Sequence, residues 1–137
     1  GGGPSGLTAA YFLSLMGHSI TVFEGREQLG GMLRYGIPNY RFPKKRLDED
    51  IRAILSAGAI DVKLNCKIGK DITMEKISGE FDAVYVAIGA QTGKKLRIDG
   101  SDAEGVFSAV DRLFRKESRR YRRRKCRYGL CENCSQS

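Results

Sequence analysis

The first six residues, Gly1-Gly2-Gly3-Pro4-Ser5-Gly6, place glycines in the pattern Gly-x-Gly-x-x-Gly at positions 1, 3 and 6. In a phosphate-binding turn each of these glycines has its own steric task. The first permits the tight bend, the second lets backbone approach a pyrophosphate, and the third lets the following helix pack close to a strand. A helix opening here turns free N–H groups and the positive end of its dipole toward the phosphates. Glu24 stands about 20 residues further on, where a carboxylate accepts hydrogen bonds from ribose hydroxyls. The bland alternative is a Gly-rich turn followed by a surface acid.

The elements that must position these groups alternate in type. Ser5–Met16 contains good helix formers, with Leu7, Tyr11 and Leu15 four apart as an apolar stripe. Gly17-His18 ends it, and Ser19–Glu24 is rich in β-formers. A Gly-rich loop with Gly25, Gly30, Gly31 and Gly36 follows, punctuated by Pro38 and Pro43. Pro43 can open the next helix, which has Leu47, Ile51, Ile54 and Leu55 on one face and Gly58 at its close. A strand near Ile60–Leu64, a short helix around Met74–Ile77 and a buried strand at Asp82–Ile88 come next, and Ser108–Phe114 reads as the start of another helix. Strands alternating with helices predict an α/β fold with a parallel sheet. The glycine motif should follow a strand, yet the sequence begins on its first glycine. The expectation is therefore a fragment with a partial sheet, its first strand absent.

Length and charge bound the function. The 137 residues leave room for about one domain. No apolar stretch approaches the ~20 residues of a membrane-spanning helix, and no signal peptide opens the chain. A cytoplasmic setting without membrane contact is expected. The net charge of +8 would ordinarily suggest nucleic acid. However, residues 1–111 carry 14 basic and 14 acidic side chains, whereas residues 112–137 carry 10 basic and two acidic ones. The excess belongs wholly to the last 26 residues, together with three of the four cysteines.

The remaining candidates have plainer roles. His18 reads as a surface connector. Arg41, Lys44, Lys45 and Arg46 read as solvated charges near a helix start, although they could meet phosphates. Cys66 reads as a buried apolar residue. Asp48, Glu49 and Asp50 read as complements to the first turn of their helix. No general acid, general base or metal-ligand set stands out.

Taken in order, Gly1–Leu7, Val22-Phe23-Glu24, Leu29-Gly30-Gly31-Met32-Leu33, Tyr35-Gly36-Ile37-Pro38, Tyr40-Arg41-Phe42-Pro43 and Val86-Ala87-Ile88-Gly89-Ala90 form a combination. It resembles the FAD- and NAD(P)H-binding oxidoreductases of the glutamate synthase small-chain type, relatives of the pyridine nucleotide–disulfide reductases. The resemblance covers about residues 1–111. It implies a Rossmann-like FAD-binding domain, part of an enzyme in which NAD(P)H passes hydride to FAD and electrons continue to an iron–sulfur or other acceptor on a partner. Under it, Gly1, Gly3, Pro4, Ser5 and Gly6 would hold the FAD pyrophosphate and Glu24 the adenosine ribose. Gly30, Gly31 and Leu33 would line the flavin side, and Ala87, Ile88 and Gly89 would pass close to the cofactor. The absence of a protein acid or base suits chemistry carried by the cofactor. The fragment alone is expected to be inactive.

The tail, residues 112–137, needs its own reading. Arg119–Arg127 resembles a nucleic-acid-binding arm. Cys126, Cys131 and Cys134 have the spacing of three of the four ligands in plant-type ferredoxins, and Cys131–Cys134 is also half of a zinc site. Each signal is incomplete. The related enzymes continue here with a second motif like Val-Val-Val-Ile-Gly-Gly-Gly-Asn-Val-Ala-Met-Asp-Cys-Ala-Arg. Codons permitted for Ser118–Asn133, read one nucleotide later, yield that run. The tail is thus read as an out-of-frame translation of the NAD(P)H-binding glycine motif, with arginine codons made from glycine codons. The alternatives are a basic nucleic-acid-binding module and a structural remnant that binds nothing. Nucleic acid is not the expected partner.

Overall fold

The computed structural model describes residues 1–90, 93 and 98–106. The helix expected at Ser108–Phe114 and the basic tail lie outside the described residues.

Helix α1 spans Pro4–Leu15, with proline in its first turn, where a missing N–H costs nothing. Its end is set by Gly17, whose φ of +89° suits glycine. The Gly17 N–H donates to the Ser14 carbonyl at 3.0 Å and the His18 N–H to the Leu13 carbonyl at 3.2 Å, which satisfies carbonyls the helix would otherwise leave open. Leu7, Ala10 and Ser14 form its buried side. Leu15, expected to share the Leu7 stripe, is 56% exposed instead. Successive four-residue steps drift around a 3.6-residue helix, and the neighbouring chain covers only the first part of the stripe.

Strand β1 (Ile20–Phe23) pairs in parallel with strand β2 (Ile60–Lys63), in the register Ile20↔Ile60 through Phe23↔Lys63. Between them, α2 (Gly31–Tyr35) turns within the loop and α3 (Lys44–Leu55) makes the crossover. The short α2 was not expected, because its glycines read as loop. Helix α3 buries Leu47 and Ile51, and Ile54 and Leu55 pack at the margin of the same cluster. Pro43 caps α3 from just outside, and the Asn39 side chain accepts the Lys44 N–H at 3.0 Å. The three acids expected in its first turn lie beyond that turn. Asp48 instead forms an ion pair with Arg34. Helix α3 ends at Ser56. Gly58 serves a different purpose, because a Cβ there would lie 2.8 Å from the Cβ of Ser14.

The core joins Leu7 and Ala10 of α1, Val22 of β1, Leu29, and Leu47 and Ile51 of α3. Beyond β2, α4 (Met74–Glu80) is capped by Thr73, whose hydroxyl accepts the Lys76 N–H at 3.3 Å. Ile77 is its buried anchor.

The expected strand at residues 82–88 does not form, and Val84, Tyr85, Val86 and Ile88 are exposed. Their composition suits a sheet, but a strand exists only through a hydrogen-bonded neighbour, and a cleft separates this run from β1.

Candidate functional site

The predicted glycines converge on the N-terminus of α1. A Cβ built on Gly6 would lie 1.9 Å from the Gly1 carbonyl oxygen, and one on Gly1 would lie 2.2 Å from the Ala87 carbonyl oxygen. Both glycines are therefore demanded by backbone contact within the protein. Gly3 differs: a Cβ there meets only the Gly31 Cα, at 3.8 Å. That open space lies at the N-cap of α1, beside the position a pyrophosphate would take. Pro4 has no N–H to offer, and the Leu7 N–H is taken by the Gly3 carbonyl. The Ser5 and Gly6 amides of the first turn remain as donors. The Ser5 hydroxyl is 2.9 Å from that of Tyr85, a partner that sequence reading did not suggest.

Gly2, an x position of the pattern, is also held by its neighbours. A Cβ would lie 2.3 Å from Leu29 Cδ2. Its N–H donates to Glu24 Oε2 at 2.7 Å, and its carbonyl accepts the Gly30 N–H at 2.7 Å. Glu24 follows directly on β1, and its other oxygen accepts the Arg26 N–H at 2.9 Å. The carboxylate is thus anchored by two backbone amides. Each oxygen keeps a second lone pair, so it can still accept from a hydroxyl.

The glycine doublet is brought to the same place. Gly31, at φ +51°, would place a Cβ 2.8 Å from the Gly3 Cα, and Gly30, at φ +116°, would place one 2.9 Å from Leu47 Cδ2. Side chains are disfavoured at both positions by conformation as well as by contact. Leu33 packs on the core, and that packing already accounts for it. Ala87 and Ile88 lie against Gly1, and exposed Gly89 has φ +69°.

Charged groups fix the loop from beneath. Arg34 donates to the Leu29 carbonyl and pairs with Asp48. Lys44 was expected to be solvated. Instead its ammonium donates to the Leu33 carbonyl at 2.6 Å and to the Ile37 carbonyl. Burial, and secondarily the Arg34 guanidinium, push its pKa below the ordinary lysine value. A polar tether here leaves no sequence signature, because the acceptors are main-chain carbonyls. Arg41, Lys45 and Arg46 are exposed as expected, and so is His18; Cys66 is half-buried rather than buried.

A Gly-x-Gly-x-x-Gly turn at a helix N-terminus, with an acid after the next strand, defines a dinucleotide-binding Rossmann-like site. Residues 1–57 match the family of NAD(P)-binding Rossmann-like domains. The chain is related to the oxidoreductase family that includes the glutamate synthase small chains. It is 43% identical over 113 residues to the glutamate synthase [NADPH] small chain of Bacillus subtilis, an alignment covering 82% of this chain and 23% of the relative. The NADPH-Fe(3+) oxidoreductase subunit beta of Geobacter sulfurreducens is 42% identical over 104 residues, covering 74% of this chain and 15% of the relative. The chain thus spans less than a quarter of these relatives' lengths. In fold it is similar to Mycobacterium tuberculosis FprA in complex with NADPH, with a TM-score of 0.71 and 23% identity, covering 82% of this chain and 26% of that one.

Proposed function

We propose that residues 1–111 form the FAD-binding portion of an NAD(P)H-dependent oxidoreductase that passes electrons from NAD(P)H through FAD to an acceptor, such as an iron–sulfur partner. The observation that carries the reading is the contrast among the glycines. Gly1 and Gly6 are required by backbone contacts inside the protein, whereas Gly3 faces open space at the N-cap of α1. That space fits a pyrophosphate approached by backbone. In this reading Gly1, Gly3, Pro4, Ser5 and Gly6 shape the phosphate cradle, and the Ser5 and Gly6 amides donate into it. Glu24 accepts from the adenosine ribose. Gly30, Gly31 and Leu33 flank the flavin side, and Ala87, Ile88 and Gly89 lie along the cofactor. Bound flavin would supply the hydride and electron chemistry. The protein's own groups bind and orient it.

Relatives named as subunits support a separate electron-accepting partner. Residues 112–137 are assigned to out-of-frame translation, and the coding DNA tests this: codons incompatible with the shifted reading overturn it. A cytoplasmic setting, checked by fractionation, completes the proposal.

The central test is titration of the purified chain with FAD and, separately, NADPH, followed by flavin absorbance and calorimetry. Saturable FAD binding is expected. Gly3→Val should keep the melting temperature while weakening FAD by more than about tenfold, because the side chain would stand in the ligand's space. Binding of NADPH in preference to FAD would reassign the loop to the nicotinamide nucleotide.

A further inference from the structure

Helix α2 is short, yet one face of α3 holds it at both ends. Lys44 and Asp48 lie one turn apart on α3, so their side chains emerge on the same side. The Asp48 carboxylate pairs with Arg34, whose guanidinium also donates to the Leu29 carbonyl just before Gly30. The Lys44 ammonium donates to the Leu33 carbonyl within α2 and to the Ile37 carbonyl beyond its end. A single donor thereby joins α2, the chain that leaves it, and α3.

The glycine loops are held in two separate halves. Around Glu24, the bonds run from the Gly2 and Arg26 amides to the carboxylate and from the Gly30 N–H to the Gly2 carbonyl, and none of them involves Lys44. In the other half, the Gly36 and Ile37 N–H groups share the Met32 carbonyl, at 2.8 and 3.2 Å. Bonds this local shape the turn after α2 but do not fix where it lies against α3. The Lys44 ammonium does that. Because a Cβ on Gly31 would lie 2.8 Å from the Gly3 Cα, α2 also forms the wall that continues from the pyrophosphate turn.

We infer that Lys44 is a positioning residue for the flavin half of a bound dinucleotide, acting through the Leu33 and Ile37 carbonyls and leaving the adenosine half untouched. The inference rests on the reading of residues 30–33 as the flavin side. Without the ammonium, two part-buried carbonyls lose their shared donor, and the α2 end must shift to find another.

The test compares FAD with ADP, which carries the adenosine and two phosphates but no flavin, by calorimetry on the full chain. Lys44→Met should weaken FAD about tenfold and ADP by less than about twofold. Amide exchange at Gly36 and Ile37 should quicken by about tenfold in the same variant. Lys44→Arg, which keeps the charge and more than one donor, should restore FAD binding to within about threefold. Lys45→Met removes the same charge from an exposed neighbour and should change neither ligand. Should Lys44→Met prove unfolded, Lys44→Gln, with one amide group for two carbonyls, takes its place and the same selective loss is expected. Equal loss of FAD and ADP would overturn the inference, because it marks a lysine needed by the whole fold. Unchanged FAD binding in Lys44→Met would overturn it too, while leaving the flavin reading intact. A loss of FAD in Lys45→Met as large as in Lys44→Met would overturn it by assigning the effect to net charge. A parent chain that binds FAD no better than ADP would reject the flavin reading itself, and the inference with it.

Discussion

Val22 and Val86 have the same side chain and lie in similar apolar runs, yet Val22 is 6% exposed and Val86 is 60% exposed. Val22 sits in β1, which pairs with β2 and lies under α1 and α3. Val86 sits on the far side of the cleft with no strand beside it. Composition marks both runs as able to join a sheet. Only a neighbour on the edge turns that ability into a strand, because the backbone must find partners before its side chains can be buried.

This comparison can be broken by substitution. The largest effect is expected for Leu47→Ala, which removes a core side chain that is 4% exposed and should cost about 2–5 kcal/mol in urea denaturation. Gly6→Ala should cost about 1–3 kcal/mol, because its Cβ meets the Gly1 carbonyl and the backbone must move. It should also weaken dinucleotide binding in the same preparation. Lys44→Met should cost about 1–2 kcal/mol, since the Leu33 and Ile37 carbonyls lose their shared donor. Thermal melts with and without ligand would show whether the loop is loosened as well.

A smaller effect belongs to Glu75. Hydrogen bonding to its own backbone amide, and then to Thr73, holds its pKa below the ordinary glutamate value. Its contribution to α4 is therefore fully present above the ordinary value and fades as pH falls through the depressed one. Glu75→Gln should flatten that part of an acid titration followed by amide exchange in α4. The smallest change is expected for Val86→Ala, within about 0.5 kcal/mol of the parent. A loss as large as that of Leu47→Ala would mean the two regions are packed alike, contrary to the comparison.

The sequence made the first half of the chain readable because its signals agree there. Proline near the start of α1, glycine after its end, β-branched residues in β1 and i,i+4 apolar pairs in α3 all point to the observed βα arrangement. The glycines at positions 1, 3 and 6 and the acid at 24 could be found by spacing alone. Gly2 could not, because its constraint comes from Leu29 and Glu24, distant in sequence. Lys44 was misread for a related reason: its partners are carbonyls that any residue type could provide. The run 82–88 was misread because period and composition describe a side chain's preference and say nothing about whether an adjacent edge is occupied.

The two peptides flanking Gly2 are each held, the Gly1–Gly2 N–H by Glu24 and the Gly2–Gly3 carbonyl by the Gly30 amide. Neither peptide plane can flip without breaking its bond. The bend that presents the α1 amides is therefore set before any phosphate arrives, and the ordering cost usually charged to binding falls on folding instead. Two loops far apart in sequence are thereby made to arrive at a ligand as one preformed surface.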